Sequence, residues 1–140
     1  MLKILFIAWL LIINFGCTDI AQGTFHSNKL VSSKGEKVFV NSINWGVSDD
    51  HQLSIISKDR LRLKDRKDTI GAVYGLDPFI YQFKHDTLTL FFYDHVSYKL
   101  ADDLNTITVL YKVVSSSELL VFKEKTYRST EYFSIPKKAN

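Results

Sequence analysis

Three of the four histidines in this 140-residue chain adjoin an aspartate: Asp50-His51, His85-Asp86 and Asp94-His95. Imidazole beside carboxylate is the chemistry of a metal centre or a general acid–base site, in which the carboxylate orients the ring. Such a site needs its side chains to converge. His85 and His95 flank an expected strand over residues 87–93; at about 3.3 Å per residue they stand roughly 30 Å apart and cannot share an ion. His51 and His85 could meet across an up-and-down meander, with Asp50 or Asp86 as a third ligand, and they are the weak metal candidates. The competing reading places Asp and His at strand ends and turns, where Asp is favoured. That reading is preferred, and no metal or other cofactor is expected.

The stretch KDRLRLKDRKD over residues 58–68 is the most distinctive run of charge. Read as a strand, it sets Arg60, Arg62, Lys64 and Arg66 on one face and Leu61 and Leu63 on the other. Guanidinium forks pair bidentately with phosphate or carboxylate, so these four cations are the anion-binding candidates, facing lipid headgroups, lipopolysaccharide or acidic glycans. Asp59, Asp65 and Asp68 interrupt the run. A solvated sheet face or charged edge that deters strand pairing is the plainer alternative. Other catalytic groupings are missing. Neighbouring carboxylates such as Asp102-Asp103 and Asp49-Asp50 point apart in a strand, Ser115-Ser116-Ser117 lacks the G-x-S-x-G setting of a nucleophile, and no glycine-rich phosphate loop occurs. No enzyme activity is expected.

Phe79, Tyr81, Phe83 and Phe92 could line a cavity for an apolar ligand. They equally suit a filled core, since small barrels pack their interiors with side chains. With 46% hydrophobic and 14% aromatic residues, and only 6 Gly and 2 Pro, the chain is neither disordered nor a linker. Eighteen basic against 15 acidic residues give a net charge of +3, which is no basic tail for nucleic acid. One cysteine excludes an internal disulfide framework.

The elements that must position these residues read as strands. Apolar residues recur with period 2 in Val38 and Val40, in Leu53 and Ile55, in Phe79, Tyr81 and Phe83, in Leu88, Leu90 and Phe92, and in Ile107, Val109, Tyr111 and Val113. Lys84-His85-Asp86 reads as a short hairpin connection. Ser115-Ser116-Ser117 reads as a turn before a strand at 119–122, and 127–135 closes the chain. Only residues 98–104 could coil into a helical turn. The expectation is an all-β fold: a single antiparallel β-barrel or β-sandwich of about seven to nine short strands.

The first residues have a different use. Lys3 precedes ten apolar residues, 4–13, the size of a signal-peptide core and well short of the roughly 20 residues of a membrane span. Export is expected. Gly16-Cys17 behind this run resembles the lipobox of bacterial lipoproteins, with Asn14 and Phe15 in place of the usual leucine and small residue. The resemblance implies lipidation at Cys17 and membrane attachment through the lipid. The alternatives are cleavage after Ala21-Gln22-Gly23, giving a soluble periplasmic or secreted chain, and a cysteine of no consequence in a discarded leader. The organisation expected is a signal peptide over 1–16, a tether or irregular first strand over 17–36, and a β-domain over 37–140.

Tyr81-Gln82-Phe83, Asp86-Thr87-Leu88-Thr89-Leu90 and the run from Tyr111 to Val121 resemble the closing hairpins of small lipocalin-like lipoproteins. Gly23-Thr24-Phe25 stands where that family has its opening Gly-x-Trp. The resemblance implies a β-domain with no catalytic residues to transfer. Three functions stand: a non-enzymatic binding or structural module of the cell envelope whose partner is an envelope protein or glycan; a lipocalin-like carrier of a small apolar ligand; and a small His/Asp metal-dependent hydrolase.

Overall fold

The computed structural model describes residues 23–46, 51–74 and 80–134. Cys17, the leader and Phe79 lie outside the described residues. The elements run β1 (Thr24–Val31), β2 (Lys37–Trp45), β3 (His51–Ser57), β4 (Val73–Tyr74), β5 (Ile80–Lys84), β6 (Thr87–Tyr93), β7 (Thr108–Val114), α1 (Ser116–Arg128) and β8 (Tyr132–Ser134). They form two open four-stranded sheets, ordered β1-β2-β3-β4 and β7-β6-β5-β8. The fold is mostly sheet, as the period-2 patterning requires, and the sheets do not close into a barrel.

Local chemistry sets the connections. The β5–β6 hairpin pairs Lys84 with Thr87, leaving His85-Asp86 as a two-residue turn with φ of 48° and 56°. Positive φ at both central residues is what the type I′ turn demands, and it matches the twist of the strands. The β1–β2 turn uses Gly35 at φ 85°, and Ser32 N donates to the Glu36 carbonyl at 2.9 Å. Residues 24–31, expected as a tether or irregular strand, form a regular strand in register with β2 from Thr24↔Asn44 to Val31↔Lys37.

Two departures from the expected antiparallel arrangement matter. β6 and β7 pair in parallel, from Thr87↔Thr108 to Tyr93↔Val114. Parallel neighbours need a long crossover, and the irregular segment 94–107 supplies it. The 98–104 stretch forms no helical turn. Instead Tyr98 is buried, and its phenol takes the Ile56 N–H at 3.0 Å and faces the Ile56 carbonyl at 3.3 Å. It occupies the edge of β3 that β4 leaves open, since β4 pairs only with Leu53 and Ser54.

The second departure is α1. Residues 115–122, expected as a turn and a strand, are a helix start. Ser115 Oγ accepts from Glu118 N while the Glu118 carboxylate accepts from Ser115 N at 2.9 Å, which is a capping box. Glu118 favours the positive end of the helix, and Lys125 and Arg128 the negative end.

The two sheets share a core. Leu30, Val38, Val40 and Ile56 of the first meet Tyr81, Leu88, Leu90 and Phe92 of the second, with Tyr98 and Ile107 from the crossover. The first sheet buries its other face too. Ile43, Leu53 and Ile55 are covered there by Leu63, which explains why β2 and β3 are buried almost without alternation.

Leu63 lies within the charged stretch, and the strand expected over 58–68 is replaced by consecutive turns. Lys64 N donates to the Leu61 carbonyl at 2.9 Å and Arg66 N to that of Leu63 at 2.8 Å. Leu63, Arg66 and Asp68 all have positive φ, impossible in a strand. The buried Asn41 amide pins the segment through the Asp59 and Arg62 carbonyls at 2.9 and 3.2 Å. Leu63 is 2% exposed but Leu61 56%, so the alternation did not mark a leucine face.

Candidate functional site

One end of the molecule is fastened by polar bonds. Glu36 accepts from the backbone N–H of Asn105 at 2.9 Å and of Thr106 at 2.6 Å, from Thr106 Oγ1 at 2.9 Å and from Lys58 Nζ at 3.0 Å. The Asn105 and Thr106 N–H groups, with Lys58, hold its carboxyl down at about 2 against an ordinary 4.5. Asp86, in the β5–β6 turn, accepts from the Ser33 hydroxyl and from Ser33 N, which lower its pKa also. Ser32 and Thr106 hydroxyls share a bond of 2.7 Å. These contacts tie the β1–β2 turn to both the β5–β6 turn and the start of β7.

Toward the opposite end the described residues leave an opening. A cleft of about 580 Å³ lies between β1–β2 on one side and the end of α1 with β8 on the other. His26, Asn28 and Ser42 line the first wall, Thr126, Ser129 and Thr130 the second, and Tyr81 and Phe133 the base. The two base rings stack at 5.1 Å. Asn28 Nδ2 donates to the Tyr81 phenol at 2.8 Å, and burial pushes that phenol up to about 12, so it stays protonated at any physiological pH. Among the described residues no lysine, arginine, aspartate, glutamate or cysteine lines this cleft. Its described lining can hold a ligand by hydrogen bonds.

A second cleft of about 470 Å³ lies between α1 and the outer face of the second sheet. Ile80, Phe91, Leu119 and Leu120 make it apolar, with Lys123 and His95 at its lining. Phe122 closes against Phe91 at 4.4 Å. Thr126, Tyr127 and Ser134 border both clefts.

The residues singled out in the sequence scatter. His51 opens β3, stacked on Trp45 at 5.5 Å. His85 sits in the β5–β6 turn, whose Asp86 meets Ser33 beyond the far end of β1 and β2. The length of β3 thus separates them, roughly 20 Å at strand rise, whereas zinc ligands lie about 2 Å from the metal. They share no ion, and among the described residues no group of three His, Cys, Asp or Glu is placed to hold one.

The four cations do not form a stripe. Arg62 turns inward, Nη2 donating to the Ile70 carbonyl at 2.8 Å and Nε 3.4 Å from the Asp68 carboxylate. The Arg66 guanidinium lies over Trp45, 5.8 Å from the ring centre, while Arg60 and Lys64 are exposed. Of the aromatic candidates, Tyr81 forms the base of the first cleft, Phe92 is buried and borders the second, and Phe83 packs half-buried against the shared core.

The cleft's own polar residues, Asn28 and Ser42 above all, were not among the candidates. Their signal was a polar position replacing an apolar one at matched rows of neighbouring strands, which needs the register to be seen. Among the described residues no helix is long and apolar enough to cross a membrane. Comparison with family models, with curated proteins and with solved structures finds no match to this chain.

Proposed function

We propose that this chain is an exported, non-enzymatic binding module of the cell envelope, anchored by lipid at Cys17, with the inter-sheet cleft as its binding site. The observation that carries the reading is the cleft lining: among the described residues it consists of hydroxyls, the Asn28 amide, aromatic rings, Val40 and the His26 imidazole, with no carboxylate, thiol, lysine or arginine. Binding needs complementary hydrogen bonds; hydrolysis needs a positioned acid and base. Export and anchoring are supported by the leader over 1–16 and by Gly16-Cys17. The architecture belonging to this reading is a two-sheet sandwich, supported by the core the sheets share and by their free edges.

Mass spectrometry on protein purified from its own envelope tests it, first native, then denatured. The expected result is an acylated chain beginning at Cys17 that sheds a non-covalent ligand on denaturation. A soluble chain beginning at Thr24 would remove the anchor. Turnover of a bound substrate by the purified chain would remove the non-enzymatic assignment.

A second reading, a carrier of a small apolar ligand, is favoured by the cleft under α1 with its Ile80, Phe91, Leu119 and Leu120 lining. Leu120 is 66% exposed, so Leu120→Asp leaves the core intact. Under this reading that variant loses the binding of an environment-sensitive fluorescent fatty acid; retention of the probe sinks it.

A further inference from the structure

We infer that the inter-sheet cleft takes a neutral polyhydroxylated ligand, a saccharide; the inference rests on the cleft being the binding site. The inner face of the first sheet changes character along its length. At the fastened end Leu30 lies beside Val38, and in the next row Val40 lies between Ile56 and Asn28. Toward the cleft the rows become His26, Ser42 and Ser54, then Asn44 and Gln52. Ser42, Ser54 and Gln52 are 4%, 3% and 3% exposed, positions where the alternation of the same strands would otherwise place Val or Ile.

Buried polar groups are costly unless partnered. Gln52 Nε2 donates to Ser54 Oγ at 2.8 Å, yet among the described residues Gln52 Oε1 and Asn44 Oδ1 have no partner. Both residues stand one row beyond Ser42; Ser42 lines the cleft, and they extend the polar character of that face behind it. The opposite wall presents the hydroxyl residues Ser129 and Thr130. A charged ligand would find no lysine, arginine, aspartate or glutamate among the described lining residues, and an apolar one would strand the hydroxyls. A sugar hydroxyl donates and accepts together, which suits the Asn28 amide and Ser42 hydroxyl on one wall and the Thr126, Ser129 and Thr130 hydroxyls on the other.

Isothermal titration of the purified chain with chitotetraose, cellotetraose and maltotetraose, with tetragalacturonate as the acidic probe, tests the assignment. At least one neutral probe is expected to bind, with an affinity indifferent to salt. Thr130→Lys, at an exposed position, and Asn28→Leu should each weaken that binding tenfold or more. Asn28→Leu also removes the donor to Tyr81, so Thr130→Lys carries the test if the first variant fails to fold.

Preference for the acidic probe, binding of none of the four, or neutral binding untouched by Thr130→Lys would overturn the saccharide assignment. Native mass spectrometry separates this from the parent reading. A retained non-saccharide ligand weakened by Thr130→Lys keeps the cleft as the site and rejects the sugar. If Thr130→Lys weakens no ligand, both fall.

Discussion

Glu36 concentrates more bonds than any other carboxylate described here, and its side chain is only 10% exposed. A shielded charge is tolerable when several donors converge on it, and here they come from Asn105, Thr106 and Lys58. Its folded pKa of about 2 lies below the ordinary 4.5. The native state therefore binds the proton less readily than the unfolded chain, so this contribution is present above about pH 4.5 and lost as pH falls toward 2. Thermal unfolding followed by circular dichroism should show Glu36→Gln well below wild type at pH 7, with the two converging near pH 2. At Tyr81 the phenol accepts from Asn28 in a buried setting. Tyr81→Phe should cost about 1 kcal/mol in denaturant unfolding, the ordinary worth of one hydrogen bond, with the ring stack on Phe133 kept.

Elements differ in how firmly they are held. No residue of α1 is buried, and Leu120, Val121 and Tyr127 are largely exposed, so its cap matters more than its packing. Ser115→Ala should cost about 1 kcal/mol, and amide exchange in 116–128 should quicken while β2 and β3 keep their protection. The turns over 58–72 depend instead on one side chain. Leu63→Ala should cost roughly 2–5 kcal/mol by opening a cavity over Ile43, Leu53 and Ile55, whereas Leu61→Ala should stay within about 0.5 kcal/mol.

These two elements are also where the sequence misled. Most strands were legible because Val38, Leu53, Leu88 and Ile107 each begin a period-2 run, buried on one face or both in β2, β3 and β6 and half-buried on one face in β7. The α1 face offers only Leu119 and Phe122 as half-buried large apolar residues, too weak a stripe to see, though Ser115-x-x-Glu118 spelled its start. The 58–68 run alternates like a strand. The turn hydrogen bonds and the positive φ at Leu63, Arg66 and Asp68 show otherwise, and a non-glycine residue carries no mark of such a φ. The site was less legible than the fold, since Asn28, Ser42 and Thr130 are ordinary strand and loop residues until register and topology bring them together.

At the scale of the molecule, the polar knot at Ser33, Glu36, Asp86 and Thr106 holds the sheets together opposite the cleft. Asp86→Asn keeps a residue suited to the turn's positive φ but removes the charge that faces Ser33. Its expected effect is a lower melting temperature and faster amide exchange at Ser33 and Thr108, since Thr108 N donates to the Asp86 carbonyl at 2.8 Å. The sheet orders β1-β2-β3-β4 and β7-β6-β5-β8 put the first and last strands at outer edges. Among the described residues β1 is bonded only to β2, and β8 only to β5, where Tyr132–Ser134 pair with residues 80–82. Tension applied at Thr24 and Ser134 therefore falls on strands held from one side, the shorter of them first. Pulled from these two residues, the molecule should yield in two steps, β8 giving way at low force and swinging out one wall of the cleft while the shared core still holds.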